Sequence, residues 1–312
     1  MALSGTARKL GGFGLAVVVA FAVAYGVGQA VGPVSAEPEA TADEHGDMGE
    51  TGGHGGANGD EHGGEHGSVV PKGLMVSADG LTLDVRSNGL RAGAGTDFAF
   101  RILDDTGAPV TRFAPTHDKL MHLVVARRDL SGFQHVHPVL AADGTWRAPL
   151  TFPTGGDYRV FADFLPAGRD EGTTLGADVP VTGAYQPAPL PAPSRTATVV
   201  DGYTVTLAGT LTPGTTSKLT LTVSRGGKPV TDLQPYLAAY GHLIALRQGD
   251  LAYLHVHPDG EPGDGRTRPG PSITFYAEVP TAGNYRLYLD FQHGDVVRTA
   301  EFTAVAAPHE EK

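Results

Sequence analysis

Residues 122–138 read HLVVARRDLSGFQHVHP, and residues 242–258 read HLIALRQGDLAYLHVHP. Each stretch holds a short apolar, partly β-branched run, a polar turn, and a second short segment with histidines two residues apart. The turn centres between Asp129 and Leu130 in the first stretch and at Gly249-Asp250 in the second. Two extended segments joined in this way read as an antiparallel hairpin. The likeness continues outward. GAPVTRF at 107–113 matches GKPVTDL at 227–233, and GDYRVFADF at 156–164 matches GNYRLYLDF at 283–291. The offset is 120 residues up to the HVHP segment and 127 beyond it, because the second copy carries a longer Gly/Pro loop at 259–271. A period this long marks two tandem copies of one domain.

Within each copy, short alternating segments are punctuated by Gly, Pro and Asp, and no stretch has helical periodicity. In the first copy strands are expected near 81–87, 97–103, 120–127, 133–137, 145–151, 157–164 and 175–182. About seven strands at this spacing predict an all-β protein made of two tandem immunoglobulin-like β-sandwiches. The segments ending in Tyr158 and Tyr285 read as tyrosine corners, which open the sixth strand of such sandwiches. The domain limits follow as 69–183 and 197–306, with a stiff Pro-rich linker at 184–196 and a tail at 307–312.

The hairpin places the histidines. Residues i and i+2 of a strand share a face, about 6.5–7 Å apart at Cα. His135 and His137 can therefore aim at one point, as can His255 and His257. A turn centred as above sets His122 opposite His137 on that face, and His242 opposite His257; a one-residue slip would throw the first histidine to the other side. In an immunoglobulin-like sheet the third and sixth strands are antiparallel neighbours, which brings Asp163 near His122 and Asp290 near His242. Each copy then offers three imidazoles and a carboxylate, a donor set for a divalent metal. His117 is a possible extra ligand of the first copy alone, since Leu237 stands at its place in the second; Met121, where the second copy has Gly241, is a weaker candidate. His293 reads as a surface residue. The competing reading is architectural: imidazoles that hydrogen-bond loop backbone and pin the end of each sandwich.

Composition narrows the chemistry. The 312 residues include 13 His and no Cys. Without thiolates, disulfide frameworks, thiolate zinc fingers, iron–sulfur clusters and blue-copper centres are excluded. Imidazole with carboxylate suits copper(II), favoured by the Irving–Williams order, or zinc(II). A net charge of −11 argues against nucleic-acid partners. Leu10 to Gly32 is a run of 23 uncharged, mostly apolar residues preceded by Arg8 and Lys9. It is expected to be a membrane anchor with the remaining chain outside the cytoplasm; the alternative is a signal segment cleaved near Ala36. Residues 37–68 hold nine acids, four His (45, 54, 62 and 66), ten Gly and no base. That composition predicts a disordered tether, with the membrane segment at 1–36 before it.

The segment Gly241–Pro258, with its counterpart in the first copy, resembles a group of actinobacterial membrane-anchored secreted proteins across the anchor and both repeats. More loosely, the domains resemble small exported copper-associated domains of the YtkA/FixH and CopC type, although CopC-type ligand spacing is not reproduced. The resemblance implies metal handling outside the membrane. The expected function is a membrane-tethered, extracytoplasmic metal-binding protein with one site per sandwich, buffering or delivering copper(II) or zinc(II), with a membrane metal transporter or another extracytoplasmic protein as the expected partner. The alternative is a structural or protein-interaction ectodomain. An enzyme with an open three-histidine metal is a third reading. Glu278 is its nearest acid–base candidate; the first copy has Thr151-Phe152 around that place, no matched pair is found, and no enzyme activity is expected.

Overall fold

The computed structural model describes residues 70–307, His255 excepted. The apolar segment Leu10–Gly32, the site near Ala36, the tether with its four histidines, His255 and the tail beyond Ala307 lie outside the described residues. No helix among the described residues is long and apolar enough to cross a membrane.

The first repeat contains β1 (Ser77–Ala78), β2 (Leu81–Val85), β3 (Gly95–Leu103), β4 (Phe113–Ala114), β5 (His122–Arg127), β6 (Gln134–Val136), β7 (Val139–Leu140), β8 (Trp146–Thr151), β9 (Gly156–Pro166) and β10 (Thr173–Val181). The second contains β11 (Thr196–Val199), β12 (Tyr203–Ala208), β13 (Thr215–Arg225), β14 (Lys228–Pro229), β15 (His242–Arg247), β16 (Val256–Pro258), β17 (Ser272–Val279), β18 (Gly283–His293) and β19 (Val296–Ala306). In the first repeat the sheet β1-β2-β3-β8-β7 faces the sheet β10-β9-β5-β6, with β4 also paired to β9. In the second, β11-β12-β13-β17-β16 faces β15-β18-β19. Each repeat is thus an immunoglobulin-like sandwich, and both tyrosine corners are present. Tyr158 and Tyr285 donate their hydroxyls to the carbonyls of Thr154 and Thr281, at 3.0 and 2.8 Å.

Side-chain alternation on β5 explains how the repeats meet. Leu123 and Val125 point into the first core with Phe98, Phe100, Trp146 and Val160. Val124 and Ala126 point the other way, into an apolar layer shared with Phe161 of β9 and with Ile244, Leu246 and Tyr288 of the second repeat. Leu243 and Ala245 turn inward to the second core, with Leu287, Phe291 and Phe302. Every residue of β5 is therefore buried, and all of β15 but its last. The two sandwiches join face to face through these sheets, within one compact unit. Phe133 stacks on Tyr288 with ring centroids 3.9 Å apart, and the Tyr288 hydroxyl donates to the carbonyl of Leu130 at 2.5 Å.

This differs from two sandwiches spaced by a stiff linker. The linker lies along the structure: Ala188 N donates to Asp129 Oδ2 at 2.7 Å, and Arg127 reaches the carbonyl of Gln186 at 3.1 Å. An uninterrupted apolar run such as Leu-Val-Val-Ala belongs to a strand covered on both faces, and the second cover is the other repeat.

Candidate metal centre between the repeats

Residue parity decides which way the histidines point. His122 shares the even-numbered face of β5 with Val124 and Ala126, and His242 shares that of β15 with Ile244 and Leu246. Both therefore aim at the seam between the repeats. On β5 and β6, Leu123 stands opposite Val136, Val124 opposite His135 and Val125 opposite Gln134. Continuing that register puts His122 across from His137, and their ring centroids are 5.0 Å apart. His122 pairs with Asp163 on β9, and His242 with Asp290 on β18, as the strand order requires.

Below the histidines lies a matched turn in each repeat. Thr116 and Lys119 bracket His117 and Asp118, which have φ of 49° and 61°; Tyr236 and Ala239 bracket Leu237 and Ala238, at 55° and 59°. Consecutive left-handed residues other than glycine are costly. Both turns present a carbonyl to a strand histidine: His122 Nε2 donates to Thr116 O at 3.0 Å, and His242 Nε2 to Tyr236 O at 2.8 Å. A carbonyl only accepts, so Nε2 carries the proton and Nδ1 keeps its lone pair in the neutral ring.

The same bookkeeping applies to His135. Its Nδ1 lies 2.8 Å from Asp290 Oδ2, a carboxylate that comes from the second repeat. Nδ1 is the donor and Nε2 is left with the lone pair. That Nε2 stands 3.1 Å from His122 Nδ1. Where both rings are neutral the two nitrogens turn lone pairs toward each other; a proton on either makes the contact a hydrogen bond. His137 Nε2 is buried and has no hydrogen-bond partner. Nitrogens of His122, His135 and His137 all lie within 4.8 Å of one another. Burial favours the neutral ring at four histidines: it pushes His122 and His242 down to about 4 and His137 to about 3, and it lowers His117.

Three imidazoles whose nitrogens lie within 4.8 Å of one another form a set that could hold a metal ion. Tetrahedral bonds of about 2.0–2.1 Å separate neighbouring ligand nitrogens by about 3.3 Å. The His–carbonyl and His–carboxylate bonds behind them are the supports that fix tautomer and orientation in metal sites.

The remaining candidates are distributed differently from one site per sandwich. A cavity of about 560 Å³ opens between the repeats, with His117, His122, His135, Asp163, His242, His257 and Glu278 among its walls. The His117 and His242 ring centroids are 5.2 Å apart across the seam. Asp163 accepts from the Thr174 hydroxyl at 2.8 Å. Asp290 supports a first-repeat histidine instead of completing a second-repeat ligand set. His257 does not face His242 across a continuous hairpin. The second hairpin starts in the expected register, with Leu254 N donating to Ala245 O at 2.9 Å, but β16 then leaves for the opposite sheet and pairs His257 with Tyr276 of β17. β17 has eight residues where β8 has six, which gives β16 a backbone partner. In the first repeat a side chain takes that role, with Thr151 N donating to Gln134 Oε1 at 3.2 Å. Met121 faces the first core, 1% exposed. His293 is tied to Tyr203 Oη at 2.6 Å and to Asp232 Oδ1 at 3.1 Å.

Sequence reasoning missed the carbonyls of Thr116 and Tyr236, and missed Lys72 and Tyr253, which also line the cavity. Their signal was indirect: apolar runs too continuous for a strand with one wet face.

No curated protein matches the chain. Solved structures that resemble it include the Escherichia coli adhesin FdeC (18% identity, 74% of this chain and 65% of that one, TM-score 0.23). Others are invasin, a bacterial integrin-binding protein (17%, 72% and 39%, 0.22), and a putative membrane anchored protein from Corynebacterium diphtheriae (12%, 75% and 60%, 0.23). The chain spans less than two thirds of the length of each of these three, and at such TM-scores the likeness carries no argument about its role. The sequence family described as Domain of unknown function (DUF8832) matches residues 76–181 and 197–308, one copy per sandwich and more than half the chain, so the protein belongs to that family.

Proposed function

We propose that this protein binds a transition-metal ion between its two sandwiches, with His122, His135 and His137 as ligands, and serves extracytoplasmic metal buffering or delivery from a membrane tether. The observation that carries the reading is the convergence of His122, His135 and His137, whose nitrogens lie within 4.8 Å of one another, with His137 Nε2 buried and unpartnered. Buried polar atoms are almost always paired. His137 Nε2 has no partner, and the nitrogens beside it, His122 Nδ1 and His135 Nε2, meet only each other, which is where a cation would sit. The all-nitrogen donor set suits copper(II) first and zinc(II) second. One site per molecule is expected, not one per repeat.

Titration of the full chain with Cu(II) and Zn(II) against a chromophoric chelator tests this. One tight equivalent, lost in the double variant His122→Ala/His135→Ala and retained when His45, His54, His62 and His66 are replaced, supports the reading. Absence of a tight equivalent, or its confinement to the tether, overturns it.

A second reading has its own observation. His135 and Asp290 bridge the repeats, and His122 and His242 each tie a loop to a strand. In a purely structural ectodomain the same substitutions lower the melting temperature, and added metal leaves it unchanged.

A further inference from the structure

We infer that Asp290 of the second repeat is a positioning residue for the metal site of the first, so that metal binding and docking of the repeats are coupled. The inference rests on the metal reading above and deepens it. Asp290 is held from both sides. Its Oδ1 accepts from the Thr299 hydroxyl of its own repeat at 2.6 Å, and its Oδ2 accepts from His135 Nδ1 at 2.8 Å across the seam. The two side chains of that pair are 4% and 5% exposed, which shields the bond from bulk water. The bond does three things to His135. It fixes the tautomer that presents Nε2 to the cavity, it holds the ring plane, and it raises the basicity of the coordinating nitrogen. The first repeat has a carboxylate at the matching position, Asp163, bonded to Thr174. The carboxylate behind His135 nevertheless comes from the other repeat. A first repeat released from the second would keep its three histidines and lose the group that orients one of them.

Coupling of this kind is reciprocal. If docking tightens metal binding by some factor, metal tightens docking by the same factor. The bound ion then acts as a latch that adds to the apolar layer, the Tyr288–Leu130 bond and the Tyr253–Lys72 backbone bond between the sandwiches.

The test uses the full chain with Asp290→Asn, which keeps the shape and the Thr299 bond but removes the charge. Zn(II) affinity is expected to fall about 10–100-fold with stoichiometry unchanged. Asp290→Ala should fall at least as far, and the ¹⁵N shifts of His135 should show a mixture of tautomers in both. The lack of cysteine allows spin labels at Asp105→Cys and Lys228→Cys, one exposed position per repeat. Their distance distribution should narrow with Zn(II) in the otherwise native chain and respond far less with Asp290→Asn. Native-like Zn(II) affinity in Asp290→Asn overturns the coupling and leaves the metal reading standing. Failure of the unsubstituted chain to bind Zn(II) or Cu(II) overturns the reading itself. If both Asp290 variants unfold, Thr299→Val decides: a several-fold loss of affinity supports the inference, and unchanged affinity overturns it.

Discussion

His137 carries a cost that the fold alone does not recover. Its buried Nε2 meets no partner, and an unsatisfied buried polar atom costs about 1–3 kcal/mol. His137→Leu is therefore expected to stabilise the metal-free chain by about 1 kcal/mol while abolishing its tight metal equivalent. Chemical denaturation with and without Zn(II) checks both halves. A destabilised metal-free variant would mean that His137 serves packing, and would move the weight to the architectural reading. The neighbouring turns show the same pattern of local expense. Leu237 and Ala238 stand at positive φ where glycine or asparagine would be easier. What the turn supplies is the Tyr236 carbonyl, 2.8 Å from His242 Nε2.

At the level of strands, β5 and β15 each bury a histidine that must stay neutral. His122 and His242 are 5% and 8% exposed, and burial brings both down to about 4 from an ordinary 6.5. The unfolded chain therefore takes up protons first as pH falls. The two histidines' contribution to stability is complete above about pH 6.5, declines between there and about pH 4, and levels off below. Each such histidine contributes a slope of about 1.4 kcal/mol per pH unit in that window. Melting curves from pH 7 to 4 should show it, and His242→Phe should reduce it; a flat profile in the unsubstituted chain would contradict the neutral, buried state. Strand-level sequence patterns made much of this legible. The hairpin register followed from turn chemistry and parity, and the His122–Asp163 and His242–Asp290 pairings followed from the strand order of the sandwich. The destination of the face was not legible. Periodicity says that His122, Val124 and Ala126 share a side, but only contact with Ile244, Leu246 and Tyr288 says what covers it. The early departure of β16 was equally hidden, because it depends on how far β17 extends in the opposite sheet. On the shared layer, Ile244→Ala should cost about 2–5 kcal/mol, the range for a fully buried aliphatic truncation. Denaturant midpoints measure that loss, and one below 1 kcal/mol would mean that the seam is loosely packed.

Across the whole molecule, the chain stitches its two halves together at several places. The segment entering the first repeat lies along the seam: Arg159 holds the carbonyls of Gly73 and Leu74, and Tyr253 N donates to Lys72 O at 3.0 Å. A methyl group on Gly73 would sit 2.6 Å from the Phe161 ring, so this entry admits no larger residue without displacement. With the apolar layer, the bound linker and the His135–Asp290 bond, these ties are expected to make the repeats unfold as a single cooperative unit. A ligand at 100 times its Kd stabilises the state it binds by about 2.7 kcal/mol. Although the three ligands belong to the first repeat, Zn(II) at that excess should delay unfolding of both. The two signals weight the halves differently: the single tryptophan, Trp146, lies in the core of the first repeat with Tyr158, whereas seven of the ten tyrosines, Tyr203 and Tyr285 of the core among them, lie in the second. Tryptophan fluorescence and near-ultraviolet tyrosine dichroism should give one coincident transition without metal, and one coincident, later transition with it. If only the tryptophan signal moves, the second repeat is a passive neighbour, and the reciprocity expected from Asp290 fails at the scale where it matters.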